Sequence, residues 1–181
     1  MVESNKMKKK IKKNKGILFW VTGLSGSGKT TLSKKILKNV IKSYGPTLLI
    51  SGDDLRYIFT FNKFNDEERK ILAKKYCRYA KFITDQNINL IFAAVGMFNS
   101  TRAWYRKNID NYIEIYIKAN LQDIILLKKK KIYHKKNSGD IVGININPQF
   151  PKKPHITINN DFKKNSNVVA KVLFNKIKKI I

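Results

Sequence analysis

The chain has 181 residues, a formal charge of +26 from 38 Lys and Arg against 12 Asp and Glu, 43% hydrophobic residues and one cysteine. That length fits a single domain with room for a sizeable core, and one cysteine excludes an internal disulfide framework and a cysteine-built metal cluster. Only five of the basic residues are Arg, so the excess reads as a bias toward Lys, Ile and Asn rather than a nucleic-acid groove, where Arg supplies the preferred fork.

Nucleic acid is therefore not the expected partner, although a positive field suits an enzyme with anionic substrates. No apolar run approaches the length of a membrane span, and the Lys-rich start lacks an apolar segment ending in a cleavage site. A cytoplasmic protein without a membrane partner is the expectation.

Residues 1–15 hold seven Lys and one Glu with few apolar side chains, so a basic, unstructured arm is expected, leaving 16–181 as the folded domain. Residues 17–22 form a continuous apolar run of the kind a buried parallel strand shows. Directly after it come Gly23-Leu24-Ser25-Gly26-Ser27-Gly28-Lys29-Thr30 and Thr31, the spacing of a phosphate-cradling P-loop between a strand and a helix. The glycines let successive N–H groups face phosphate oxygens, the helix start adds its positive end, and Lys29 supplies a point charge. The Thr30 hydroxyl is placed to meet Mg2+. Leu32, Ile36, Leu37 and Val40 give the helix one buried face, and Gly45-Pro46 ends it.

A second strand over 47–50 delivers Ser51-Gly52-Asp53-Asp54-Leu55-Arg56 at its carboxyl end, where open parallel sheets place ligands. Two carboxylates opposite a P-loop suit metal handling and general-base work on a hydroxyl; a solvated turn with Asp as helix cap is the competing reading. Residues 65–86 read as a long helix capped by Asn65, with Ile71, Leu72, Cys77, Ala80 and Phe82 as buried candidates. The setting of Cys77 argues for a structural thiol.

A third strand over 88–95 ends at Gly96-Met97-Phe98-Asn99. A short helix through Arg102 and Arg106, a fourth strand over 112–117 and one or two helical turns over 121–127 follow. Residues 128–154 combine a basic run, Gly139 and Gly143, and three prolines, which reads as a mobile lid whose Lys side chains close over phosphates. A last strand over 156–158 and an amphipathic helix over 167–180, with Val168, Val169, Val172, Leu173, Ile177 and Ile180 as its apolar positions, complete the chain. Strands alternating with helices predict an α/β fold, a three-layer P-loop NTPase architecture with a parallel sheet of about five strands.

The P-loop, the Gly52-Asp53-x-Leu55-Arg56 turn, the stretch from Phe64 to Arg69 and the Tyr133-x-Lys135-Lys136-x-x-Gly139-Asp140-Ile141-x-Gly143 loop resemble those of adenylyl-sulfate kinases, in the same order and over most of the chain. The resemblance implies transfer of the ATP γ-phosphate to the 3'-hydroxyl of a small activated nucleotide, with ATP and Mg2+ as cofactors. Residues Gly23, Ser25, Gly26, Ser27, Gly28, Lys29, Thr30 and Thr31 would bind ATP, Thr30 and Asp53 the metal, and Asp53 and Lys29 would be catalytic. Arg56, Phe64, Arg69, Leu72, Val95, Gly96, Met97 and Lys135 would surround the acceptor. Members of that family are often dimeric, so a homodimer is an expectation.

Four departures from the family pattern stand out. The turn that usually reads Asp-Gly-Asp-Asn is Ser51-Gly52-Asp53-Asp54 here. Leu72 stands where an acceptor-touching Asn is usual. Val95-Gly96-Met97-Phe98-Asn99 replaces Ile-Ser-Pro-Phe/Tyr-Arg, and Leu127 occupies the place of an Arg near the ATP base. Three of these changes line the acceptor side, where losing a polar partner shifts discrimination strongly. The acceptor is thus expected to be adenylyl sulfate or another activated nucleotide, such as cytidine diphosphoramidate in polysaccharide modification. A P-loop kinase of another small alcohol and an inactive nucleotide- or RNA-binding module are the alternative readings.

Overall fold

The computed structural model describes residues 9–60, 66–127 and 141–181. Five strands, β1 (Leu18–Thr22), β2 (Thr47–Ser51), β3 (Asn89–Ala93), β4 (Tyr112–Lys118) and β5 (Ile156–Asn159), form one parallel sheet in the order β2-β3-β1-β4-β5. Among the described residues six helices accompany them: α1 (Lys29–Tyr44), α2 (Gly52–Ile58), α3 (Asp66–Asp85), α4 (Asn99–Asn108), α5 (Leu121–Leu126) and α6 (Ser166–Ile180).

β1 lies at the centre, and alternation along it feeds two cores. Phe19 and Val21 meet Leu32, Ile36 and Val40 of α1 and Val169, Leu173 and Ile177 of α6. Leu18 and Trp20 face the opposite layer, with Leu72, Tyr76, Cys77 and Ala80 of α3 and Tyr105 of α4. Helices on both faces of a parallel sheet make the predicted three layers. The crevice of such a sheet opens where neighbouring strands send their connections to opposite sides, and here that is the carboxyl end of β1.

Several helical faces are narrower than periodicity predicts. Ile71 and Phe82 on α3 and Val168 and Val172 on α6 are exposed, whereas Leu72, Cys77, Ala80, Val169, Leu173 and Ile177 are buried. Each exposed residue sits one position off the docked stripe, where apolar character costs little. Gly45 ends α1 at a φ of 92°, its N–H donating to the Ile41 carbonyl at 3.0 Å.

Residues 9–15, expected within an unstructured arm, are tied to the domain. The buried Asn111 amide donates to the Lys12 and Lys15 carbonyls at 2.9 and 2.8 Å and accepts from the Lys12 N–H at 2.8 Å. Lys9 N–H donates to the Ile180 carbonyl at 2.7 Å. Lysine content pointed to solvent, but backbone groups and the lysine side chains both make the attachment, the Lys15 ammonium pairing with Asp85 at 2.8 Å and that of Lys12 with Asp110 at 3.4 Å. No helix among the described residues is long and apolar enough to cross a membrane.

Candidate active site

The loop from Gly23 to Gly28 turns directly out of β1 into α1. Gly28 holds a φ of 97° that L side chains rarely adopt, and a Cβ there would lie 2.7 Å from the Asn160 amide nitrogen. Asn160, one residue past β5, donates that amide to the Ser27 carbonyl at 2.9 Å. The loop is thereby braced from a strand two positions away in the sheet. Lys29 is 7% exposed and donates its ammonium to the Leu24 carbonyl at 2.7 Å. Its charge lies across the mouth of the loop.

A cleft of about 580 Å3 opens above this loop, lined by Ser25, Gly26, Gly28, Lys29, Thr30, Thr31 and, opposite, Asp53 and Arg56, with Asn160, Phe162 and Lys164 at one end. Gly23 and Ser27 lie behind the lining; a Cβ on Gly23 would meet the Ile117 carbonyl oxygen at 2.4 Å, and Ser27 is fully buried. A volume in the range of small-molecule sites, walled by backbone and a buried cation, suits a phosphate chain.

The two carboxylates after β2 have separate jobs. Asp54 closes a capping box on α2: its carboxylate accepts from the Ser51 N–H at 2.7 Å while the Ser51 hydroxyl accepts from the Asp54 N–H at 3.2 Å. Asp53 lines the cleft and is ion-paired with Arg56 one turn on. The cap reading of the turn therefore holds for Asp54, and Asp53 faces the ligand space. Tyr76 of α3 donates its hydroxyl to the Gly52 carbonyl at 3.1 Å. Burial pushes the Tyr76 phenol up to about 12, with the Arg56 guanidinium opposing, so the brace keeps its proton across physiological pH.

A second cleft, of about 1010 Å3, adjoins the first and shares Arg56, Ala94 and Val95 with it. Its walls carry Arg69, Leu72 and Tyr76 from α3, Gly96 and Met97 from the loop after β3, and Trp104 of α4. Gly96, at a φ of 37°, lets the chain pass over the Trp20 ring, which a Cβ would meet at 2.2 Å. Leu72 and Met97 are buried, so they give an apolar patch in a wall that also carries Arg56, Glu68, Arg69 and Arg78. Phe64, Lys135 and most of the basic lid lie outside the described residues. The described part, 141–154, packs onto the site through Val142, which joins Leu24, Met97, Tyr116 and Ile124 in a third apolar cluster.

The arrangement thus unites most of the expected residues in two joined clefts. Asn160, Phe162 and Gln149 were not anticipated; the position of Asn160 at a strand's carboxyl end was the available signal for it. Thr30 and Asp53 offer oxygen donors, the type Mg2+ takes together with phosphate and water oxygens, and no cluster of three or more His, Cys, Asp or Glu side chains exists among the described residues.

Comparison with known proteins agrees with this geometry. The adenylylsulphate kinase family model matches residues 15–159. A cytidine diphosphoramidate kinase of Campylobacter jejuni is 31% identical over 168 residues, covering 91% of this chain and 98% of that protein. An adenylyl-sulfate kinase of Clostridium acetobutylicum is 32% identical over 156 residues, covering 83% of this chain and 78% of its own length. The fold is matched by the Mycobacterium tuberculosis APS kinase CysC in complex with AMPPNP and APS, at a TM-score of 0.78 and 23% identity over 91% of this chain and 98% of that one. From its P-loop between β1 and α1 to its fifth strand, the chain belongs to the adenylylsulphate kinase family of phosphotransferases.

Proposed function

We propose that the protein moves the γ-phosphoryl group of ATP to the 3'-hydroxyl of a small activated nucleotide other than adenylyl sulfate, cytidine diphosphoramidate being the chosen candidate. The observation that carries this is the junction of the two clefts at Arg56, Ala94 and Val95, which places a phosphate cradle beside a larger, partly apolar chamber. Phosphoryl transfer needs positioning and charge neutralisation more than covalent chemistry.

In this reading the Gly26 to Thr31 backbone and Lys29 hold the phosphate chain. Asp53 orients the acceptor hydroxyl and takes its proton as the phosphorus–oxygen bond forms. Thr30 and Asp53 would hold Mg2+, which would supply charge neutralisation for the transferring phosphoryl group. Arg56 and Arg69 face the acceptor's anionic groups, with Phe64 and Lys135 as its further partners. The choice of acceptor is supported by the apolar patch of Leu72 and Met97, and by the C. jejuni relative, named for cytidine diphosphoramidate and matched over 98% of its length.

The test is a coupled ADP-release screen of cytidine diphosphoramidate, adenylyl sulfate, and uridine and guanosine diphosphate derivatives. Cytidine diphosphoramidate is expected to exceed adenylyl sulfate in kcat/KM by about 10²-fold or more. The reverse ranking overturns the choice of acceptor, and no turnover with any of them overturns the kinase reading.

A further inference from the structure

Beneath the second cleft lies a charged group that phosphate binding does not use. Glu114, on the central part of β4, is fully buried, and Arg102 of α4 is 2% exposed. Arg102 Nε stands 3.3 Å from Glu114 Oε1, and Arg106 pairs with the other carboxylate oxygen. Burial pushes the Glu114 carboxyl above its ordinary range, with Arg106 and then Arg102 opposing.

The far end of the Arg102 guanidinium leaves this pair and enters the cleft wall. Its Nη2 donates both to Asn99 Oδ1 and to the Gln149 carbonyl. The same two residues are bound to each other. Asn99 N–H donates to Gln149 Oε1 at 2.6 Å, and Gln149 N–H donates to the Met97 carbonyl at 3.1 Å. Met97 belongs to the loop after β3, Asn99 is the first residue of α4, Gln149 lies in the described part of the lid, and all three line the second cleft.

Two separate stretches of that wall are therefore joined by three hydrogen bonds, one of them from the Arg102 guanidinium, which also holds Asn99 and whose other end is fixed to a strand. A planar fork with fixed donor directions is pre-organised for such a join, and a flexible ammonium is less so.

We propose that Arg102, held by Glu114, is a positioning residue for the acceptor. By clasping Asn99 to Gln149, it sets the separation of the start of α4 from the described part of the lid, and so the width of the acceptor chamber. The proposal rests on reading the second cleft as the acceptor site. It also gives Asn99 a role in this chain: its side chain accepts from Arg102 and so belongs to the clasp.

The test uses Arg102→Met and Gln149→Ala in the full chain. Arg102→Met leaves Glu114 paired with Arg106, so the buried carboxylate keeps a partner, although removing one member of a buried ionic group lowers stability. Gln149→Ala removes only an exposed side chain and its bond to Asn99.

With cytidine diphosphoramidate and adenylyl sulfate as probes, Arg102→Met is expected to raise the KM of the acceptor that is turned over about tenfold, while the ATP KM stays within about twofold. Gln149→Ala should do the same to a smaller extent. Hydrogen exchange read by mass spectrometry should show protection falling together over 97–99 and 147–150 in both variants, with β1 unchanged.

Equal shifts in both KM values, no shift in either, or exchange changes confined to the mutated segment or spread through the sheet overturn the clasp. If the unmodified chain turns over neither nucleotide, the acceptor reading fails by itself, and paired loss of protection in the two segments still decides the clasp. Should Arg102→Met not fold, Gln149→Ala decides by the same readouts.

Discussion

The two clefts, proposed as the donor and acceptor halves of the site, are built on different plans. The first comes largely from consecutive residues, Gly23 to Thr31, with one outside brace from Asn160. The second is assembled from α2, α3, the loop after β3, α4 and the described part of the lid, and its character lies in side chains such as Arg56, Arg69, Leu72 and Met97. A backbone cradle tolerates almost no substitution and serves any nucleoside triphosphate. A chamber of separate side chains can be retuned one residue at a time, which is where this chain departs from the pattern of adenylyl-sulfate kinases.

The largest expected effects fall on the donor half and the carboxylate facing it. Lys29→Ala should lower kcat by about 10³-fold with any acceptor, because a buried cation aimed at developing charge is lost. Asp53→Ala should cost about 10²-fold or more while leaving the Ser51–Asp54 capping box, and so the melting temperature, nearly unchanged. A near-normal rate in the Asp53 variant would withdraw its role as base and blur the boundary between the halves.

On the acceptor half, Leu72→Asn should raise kcat/KM for adenylyl sulfate by about tenfold, measured against the same variant's rate on cytidine diphosphoramidate. Unchanged preference would remove Leu72 as a selector. Asn99→Arg is a poorer probe of the same point, because it would set one guanidinium against Arg102 and break the clasp.

Gly96→Ala separates shape from chemistry. A methyl group at a φ of 37°, 2.2 Å from the Trp20 ring, should destabilise the fold by about 2 kcal/mol or more, read from urea unfolding. A neutral result would mean that the loop can lift away from Trp20 and that the acceptor wall is softer than described.

The smallest effect is one of alkaline pH. Burial raises the Cys77 thiol from its ordinary 9.0 to about 11, and Tyr76 to about 12. Both groups ionise more readily in the unfolded chain, so stability is full below pH 9 and declines as pH rises through 11. Native Cys77 should also resist thiol reagents at pH 8 until the chain unfolds. Fast labelling of the native protein would show the α3 layer opening.

The same contrast explains what could be read without coordinates. The P-loop, the five parallel strands and the layer order follow from local spacing and continuous apolar runs, so they were legible. The helix α2 was read only as a turn, because seven residues give too short a window for periodicity. Its capping box has the readable Ser51-x-x-Asp54 spacing, so the cap was open to reading, and the fold adds which of the two aspartates closes it. Asn111 holds residues 9–15 through backbone groups, an attachment that a Lys-rich sequence conceals. The Glu114, Arg102 and Gln149 group joins residues far apart in the chain, and only the fold makes them neighbours.

The most direct test of the central claim, that one phosphate passes between two adjoining clefts, is 31P NMR of the product formed from γ-labelled ATP and cytidine diphosphoramidate. The account predicts ADP and a 3'-phosphorylated nucleotide in equal amounts, with both lost in Lys29→Ala. Release of ADP with inorganic phosphate and an unmodified nucleotide would contradict it.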